Sequence, residues 1–205
     1  MRKTAGLLLT LAAVTLLCVP AHAQDDKRFA IRFGPIYVAP VSDSSTSLGE
    51  LEFDDGVGGE FDFEWYITKH FGLEASIAVA ADIDVNDRTN TTTADGVTVT
   101  PLTVGLNWHI VRNGAVDWAI GAVGGAVVFG DFLFVDNSSG GTFISDSETE
   151  VAFGVQSFLD INIGESWAIN LGVKYLEVEA EASDLAQVKI DVDPIIGRVM
   201  GVFRW

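Results

Sequence analysis

Between Glu60 and Ile67 the chain alternates without a break, with Phe61, Phe63, Trp65 and Ile67 on one face and Glu60, Asp62, Glu64 and Tyr66 on the other. A period of two belongs to a β-strand, whose successive side chains point to opposite sides of a sheet. No soluble sandwich needs so sharp a division between large apolar groups and carboxylates. The same period closes the chain. Trp205, Phe203, Gly201, Val199, Gly197 and Ile195 form one face, and Arg204, Val202, Met200, Arg198 and Ile196 the other. A terminal strand with an apolar outer face is what a barrel needs to close its sheet inside lipid, where every backbone polar group must find a partner.

The N-terminus agrees with a membrane destination. Arg2 and Lys3 precede an apolar run, Leu7 to Val19, that is too short to span a bilayer, and Ala21-His22-Ala23 offers a small-residue cleavage site. Residues 1–23 are therefore expected to be a signal peptide and 24–205 one outer-membrane barrel domain. Cys18 is the single cysteine, and it would leave with the leader, so no disulfide or thiolate site is expected in the mature protein. Losing Arg2 and Lys3 would move the formal charge from −17 to −19, which argues against nucleic acid as a partner, and a hydrophobic fraction of 48% argues against disorder. Beyond the leader no apolar run reaches the length of a membrane helix. An exported chain of this kind enters a membrane as a barrel or not at all.

Eight segments carry the alternation. They are Phe29 to Ala39, the Glu60 to Ile67 segment, Phe71 to Val85, Val97 to Ile110, Val116 to Phe129, Glu150 to Ile163, the segment from Trp167 through Tyr175, and Ile195 to Trp205. Thr68-Lys69-His70, Val111 to Ala115 and Gly164-Glu165-Ser166 are short connections. Pro40 to Val57, Asn86 to Gly96 and Gly130 to Thr149 are long and polar, and Glu181 to Val188 is a shorter outer loop. Strict alternation of long and short predicts an all-β fold, an eight-stranded antiparallel up-and-down transmembrane β-barrel with tight turns and both termini in the periplasm. Phe29, Ile67, Phe71, Trp108, Trp118, Trp167, Phe203 and Trp205 gather near the short turns and read as an aromatic girdle. Phe203 and Trp205 are also candidate assembly signals for the barrel-assembly machinery.

Phe71-Gly72-Leu73-Glu74, Pro101 to Trp108, Trp167 to Tyr175, and Asp193-Pro194 just before the last strand, taken in this order, resemble the OmpW family over nearly the whole mature chain. Two departures are visible: a single proline, Pro101, where family members have a pair, and a terminal Trp205 in place of Phe. The resemblance implies a narrow barrel that passes small hydrophobic molecules across the outer membrane, with lateral release into the bilayer. Eight strands leave an interior that side chains can fill, so an open aqueous pore is not expected. Candidate lining residues on the inward face are Ile36, Val38, Val127, Phe129, Phe158, Leu176, Ile196 and Met200. Ordinary core packing is the alternative role for them. Expected partners are outer-membrane lipid and lipopolysaccharide, the assembly machinery and a small hydrophobic solute.

Inward charges form a second set: Arg32, Glu60, Asp62, Glu64, Lys174 and Arg198. Antiparallel pairing of the first two strands would bring Arg32 level with about Glu64, and closure would bring Arg198 alongside. Such groups either neutralise one another as an ion-pair network or form a plug that blocks ions and turns a ligand sideways. No catalytic set is found. A lipid-modifying barrel enzyme needs a histidine near a serine nucleophile, whereas His70 and His109 fall near the short turns, His109 being expected as a boundary residue. Asp54-Asp55 and Asp82, Asp84 and Asp87 lack the spacing of a calcium loop, so no metal or cofactor is expected. A structural or adhesive barrel is the remaining alternative, but the Ser42 to Ser47 and Asn137 to Thr142 segments have few aromatics for a protein interface.

Overall fold

The computed structural model describes residues 27–41, 44–46, 49–87, 92–112, 114–130, 132–136, 141–145, 149–182, 188–191 and 193–205. The expected leader, with parts of the Ser42 to Ser47 and Asn137 to Thr142 segments, lies outside them. The strands are β1 (Phe29–Pro40), β2 (Ser44–Thr46), β3 (Gly49–Phe53), β4 (Gly56–Tyr66), β5 (Phe71–Asp87), β6 (Thr92–Arg112), β7 (Val116–Phe129), β8 (Phe132–Asp136), β9 (Gly141–Ser145), β10 (Thr149–Asn162), β11 (Trp167–Ala182), β12 (Val188–Asp191) and β13 (Pro194–Arg204).

Eight of them close a barrel in which sequence neighbours are spatial neighbours. β1 pairs β4, then β5, β6, β7, β10, β11 and β13 follow, and β13 returns to β1, every pair antiparallel. Closure removes the free edges that an open sheet would leave in lipid. The seam is sealed to the last residue: Trp205 and Phe29 exchange backbone hydrogen bonds of 3.1 Å in both directions, and Arg28 N–H donates to the Trp205 carbonyl at 3.0 Å.

Alternation sorts the wall into two faces. Phe33, Phe61, Phe63, Leu73, Ile77, Val104, Leu106, Val155, Leu171 and Val199 stand exposed on the outside, while Arg32, Asp62, Glu64, Asn107, Asp160 and Asn170 are fully buried inside. This inversion of the soluble rule is stable only with an apolar solvent around the belt. Near the short turns Trp167, Phe203, Trp205, Phe29 and Phe63 stack in sequence across β11, β13, β1 and β4, with centroids 4.8 to 5.9 Å apart.

The long connections differ from the expectation of plain polar loops. β2 and β3 form a hairpin whose β3 continues the sheet on β5, β8 and β9 form another on β6, and β12 pairs the far end of β11. The sequence reason is in view: Leu51-Glu52-Phe53, Phe132-Leu133-Phe134-Val135 and Val188-Lys189-Ile190 are short runs of β-favouring residues. The wall thus rises higher on the loop side than the eight alternating segments alone suggest. At that end the strands also approach closely. A Cβ on Gly154 would sit 1.9 Å from the Tyr175 carbonyl oxygen, and one on Gly58 2.0 Å from that of Val79.

Candidate functional site: a two-tier lumen

The interior is divided along its axis. On four strands the inward positions pass from charged residues to apolar ones toward the loop end, Arg32 to Ile36 and Val38 on β1, Glu74 to Ala78 and Ala80 on β5, Lys174 to Leu176 and Val178 on β11, Arg198 to Ile196 on β13, while a smaller buried cluster of Ala30, Tyr66, Ala168 and Val202 lies at the turn end beneath the charges. Antiparallel pairing keeps these changes at one level, so that they add up to two stacked layers.

The loop-end layer is an apolar cluster of Ile36, Val38, Ala78, Ala80, Val123, Val127, Ala152, Leu176, Val178 and Ile196, with Val99 and Phe129 packed against it. Six of the eight expected lining residues, Ile36, Val38, Val127, Phe129, Leu176 and Ile196, meet here. The other two do not. Phe158 lies among the charges, its ring 4.4 Å from the guanidinium carbon of Arg32 and 5.1 Å from that of Arg198. Its flat face is the one apolar surface that a guanidinium can cover without losing favourable electrostatics. Met200 is buried outside the apolar cluster, beneath the level of Arg198 on the same strand.

The layer below is made of ion pairs. Arg32 Nη2 donates to Glu64 at 2.6 Å and to Asp160 at 3.0 Å, and its Nη1 lies 3.7 Å from Glu74. Arg198 Nη1 donates to Asp62 at 2.9 Å and reaches Glu60 at 3.5 Å. Lys174 donates to the same Glu60 oxygen and, at 3.1 Å, to Ser76, whose hydroxyl lies 2.6 Å from that of Thr103. All six expected network residues, Arg32, Glu60, Asp62, Glu64, Lys174 and Arg198, are therefore in this layer. The register differs from expectation: Arg32 stands opposite Asp62, and Glu64 stands opposite Ala30. Arg32 leans diagonally along the wall to reach Glu64, within the range of a long side chain.

Sequence reasoning passed over the rest of the network. Arg204 donates to Tyr66 (3.2 Å), to Asn162 (2.6 Å) and to Asp160, and its Nη2 lies 3.5 Å from Asp117. Asn107 donates to Glu64 and Glu74 at 2.8 and 3.0 Å, and Gln156 to Glu74 and Asn107 at 2.9 and 2.8 Å. His109 is a correction. Expected at the boundary, it is fully buried, with Nδ1 2.6 Å from Asp117 and Nε2 3.0 Å from Glu64. Its inward alternation after Thr103, Gly105 and Asn107 carries it into the lumen, and two acceptor partners suit the protonated ring. His70 stays in the turn, its ring 3.0 Å from the His109 carbonyl oxygen.

A closed barrel of eight strands, lipid-facing outside and ion-paired within, is a small integral membrane barrel. The comparisons with known proteins give the family. The chain matches the outer membrane protein β-barrel domain family over residues 9–193 and belongs to it. Among solved structures it is similar to Neisserial surface protein A, with 11% identity, 86% of this chain and 97% of that chain covered, and a TM-score of 0.59. It is also similar to the outer membrane protein OprG of Pseudomonas aeruginosa, with 15% identity, coverage of 87% and 96%, and a TM-score of 0.60. The E. coli outer membrane protein W matches with 18% identity, coverage of 89% and 100%, and a TM-score of 0.48. A comparison with curated proteins gave no match.

Proposed function

We propose that this outer-membrane barrel admits small apolar molecules at its loop end and releases them sideways into the bilayer. The observation that carries the reading is the two-tier lumen. Ile36, Val38, Val127, Leu176 and Ile196 offer an apolar interior, and the ion-paired layer beneath them is one an apolar solute cannot enter without stranding buried charges. A solute that enters from the loop end then has the wall as its way out.

The wall has a weak line at a suitable height. The β5–β6 ladder runs from Phe71 opposite Trp108 to Ile77 opposite Leu102, resumes only at Ala80 opposite Val99, and shifts register on either side of Ile83. Pro101 falls in the gap, and it has no N–H to give β5, while its other side pairs with Val127 of β7. The reading places the short turns and both termini in the periplasm, and the apolar tier on the outer side, where a lipopolysaccharide leaflet resists apolar solutes. Phe203 and Trp205 are assigned to recognition by the assembly machinery. The resemblance to the OmpW family supports the same assignment of activity.

Uptake of a graded series of apolar solutes into lipopolysaccharide-containing vesicles, with and without the barrel, tests the proposal. Faster entry with the protein is expected, rising with solute apolarity. Equal rates across the series would overturn it and leave a structural role for the barrel.

A further inference from the structure

Phe158 interrupts a polar run. Toward the turn end the inward positions of β10 are Gln156, Phe158, Asp160 and Asn162. The polar residues on either side of the ring bond across the lumen, Gln156 donating to Glu74 and Asn107, and Asp160 accepting from Arg32 and Arg204. Among the described residues Phe158 is the only buried phenylalanine, with 1% of its surface exposed. Room for the ring is built into the wall. Its partners on the two adjacent strands are Gly172 of β11 and Ala119 of β7, which leave space on both sides. A Cβ on Gly172 would lie 2.6 Å from Arg198 Nε and 3.1 Å from the Phe158 Cβ.

The ring stands toward the middle of the barrel. It meets Arg32 of β1, three strands away in one direction and so near the opposite side of the ring of eight, and Arg198 of β13 on the way there. In the other direction it meets His109 of β6, two strands away, at a centroid separation of 6.0 Å. Met200, an apolar neighbour of Arg198 on β13, lies differently. A Cβ on Gly34 of the adjacent β1 would come 3.2 Å from its Cγ, so this side chain follows the wall.

An ion-paired layer alone does not keep water out, because water can take over its hydrogen bonds. The two guanidinium groups that cover Phe158 are open to such replacement: Arg32 Nε and Nη1 and Arg198 Nε and Nη2 have no hydrogen-bond acceptor among the described residues. Donors of this kind take up water where there is room, whereas a space filled by apolar atoms stays dry. An apolar constriction also stops ions, which cannot carry their hydration shells through it. We propose that Phe158 is the axial seal of this barrel: its ring fills the centre of the charged layer, keeps water from the Arg32 and Arg198 guanidinium groups, and denies ions a path from the apolar tier to the turn end. Phe158 is then the residue that sets the selectivity of the lumen against charged and hydrated solutes. The proposed passage shares the closed axis, but ion leak is read with no apolar solute present.

The test measures potassium chloride leak from liposomes carrying the mature barrel, with folding of each variant verified by the heat-dependent shift of its electrophoretic mobility. Wild type should leak no faster than protein-free liposomes, and Phe158→Ala about tenfold faster or more, since a hydrated gap replaces the ring. Phe158→Leu, which keeps apolar bulk at the centre, and Met200→Ala, which removes it from the wall, should both stay tight. A folded Phe158→Ala barrel as tight as wild type overturns the proposal and leaves closure to the ion pairs. So does a wild type that leaks as fast as the variant, or a Met200→Ala barrel that leaks as much as Phe158→Ala. A measurement on the unaltered protein covers a Phe158→Ala chain that does not fold. Its Arg32 and Arg198 Nε–H groups should exchange with deuterium far more slowly than that of Arg28, which is exposed at the turn end, and equal exchange overturns the dry seal. The two proposals fail separately: a tight Phe158→Ala barrel with raised apolar uptake removes the seal and keeps the passage, whereas a leaky one whose wild type speeds no apolar solute removes the passage and keeps the seal.

Discussion

The two halves of the lumen are enclosed by the same eight strands and yet are stabilised in opposite ways. At the turn end, side chains from distant strands are tied together by directional bonds. Arg32 of β1 reaches Asp160 of β10, and Arg204 of β13 reaches Asp117 of β7. At the loop end, Ile36, Val127, Leu176 and Ile196 meet without a polar contact to fix them. An ion-paired layer has few alternative arrangements, because moving one partner strands the other. An apolar cluster of mostly Val, Ala, Ile and Leu can open and repack at modest cost. Rigidity and closure belong to the ion-paired tier, and the apolar tier is the one in which the proposed solute would be accommodated.

Breaking the rigid tier carries the largest expected effect. Arg32→Ala leaves Glu64 and Asp160 buried beside a lost cation, and it should lower unfolding stability by about 3–5 kcal/mol, read as a fall in the denaturant midpoint of the folded barrel. An unchanged midpoint would remove the network as a structural element. In the accommodating tier, Leu176→Ala should cost about 2–3 kcal/mol, toward the lower part of the range for buried leucine because small neighbours can collapse inward. The same variant should keep or raise apolar solute uptake. A loss of stability as large as that of Arg32→Ala would erase the contrast between tiers. Smallest is the change at their junction: Thr103→Val removes the bond to Ser76 and should cost about 1 kcal/mol, measured by the same unfolding assay.

Much of the fold was legible because lipid enforces the alternation. Phe61-Asp62-Phe63-Glu64-Trp65 has one pairing face that can meet hydrocarbon, and a one-residue slip would turn its carboxylates outward. The inward and outward sets follow directly, and with them the six network residues and the lining candidates. The meeting of side chains across the lumen was not legible. Asp160 lies inward on its strand, but nothing local says that Arg32, 128 residues away in sequence, is its partner. Nor does the inward pattern show that Phe158 sits under two guanidinium groups, while Val38 lies in the apolar tier. The inward parity of His109 is likewise visible in the sequence, but its burial between Asp117 and Glu64 depends on partners from other strands. The hairpins built on β5 and β6 were missed because their segments are too short for a period to stand out among Ser, Thr and Gly.

The central claim is that the lower tier closes the axis, so that a solute leaves through the wall between β5 and β6. Cysteines at Val79 and Thr100, which lie level with each other inside the gap in that ladder, would lock the wall when oxidised and release it when reduced. Apolar solute uptake into vesicles carrying this double variant should fall to the level of protein-free vesicles on oxidation and recover on reduction. Uptake that is the same in both states would contradict sideways release and return the path to the axis of the barrel.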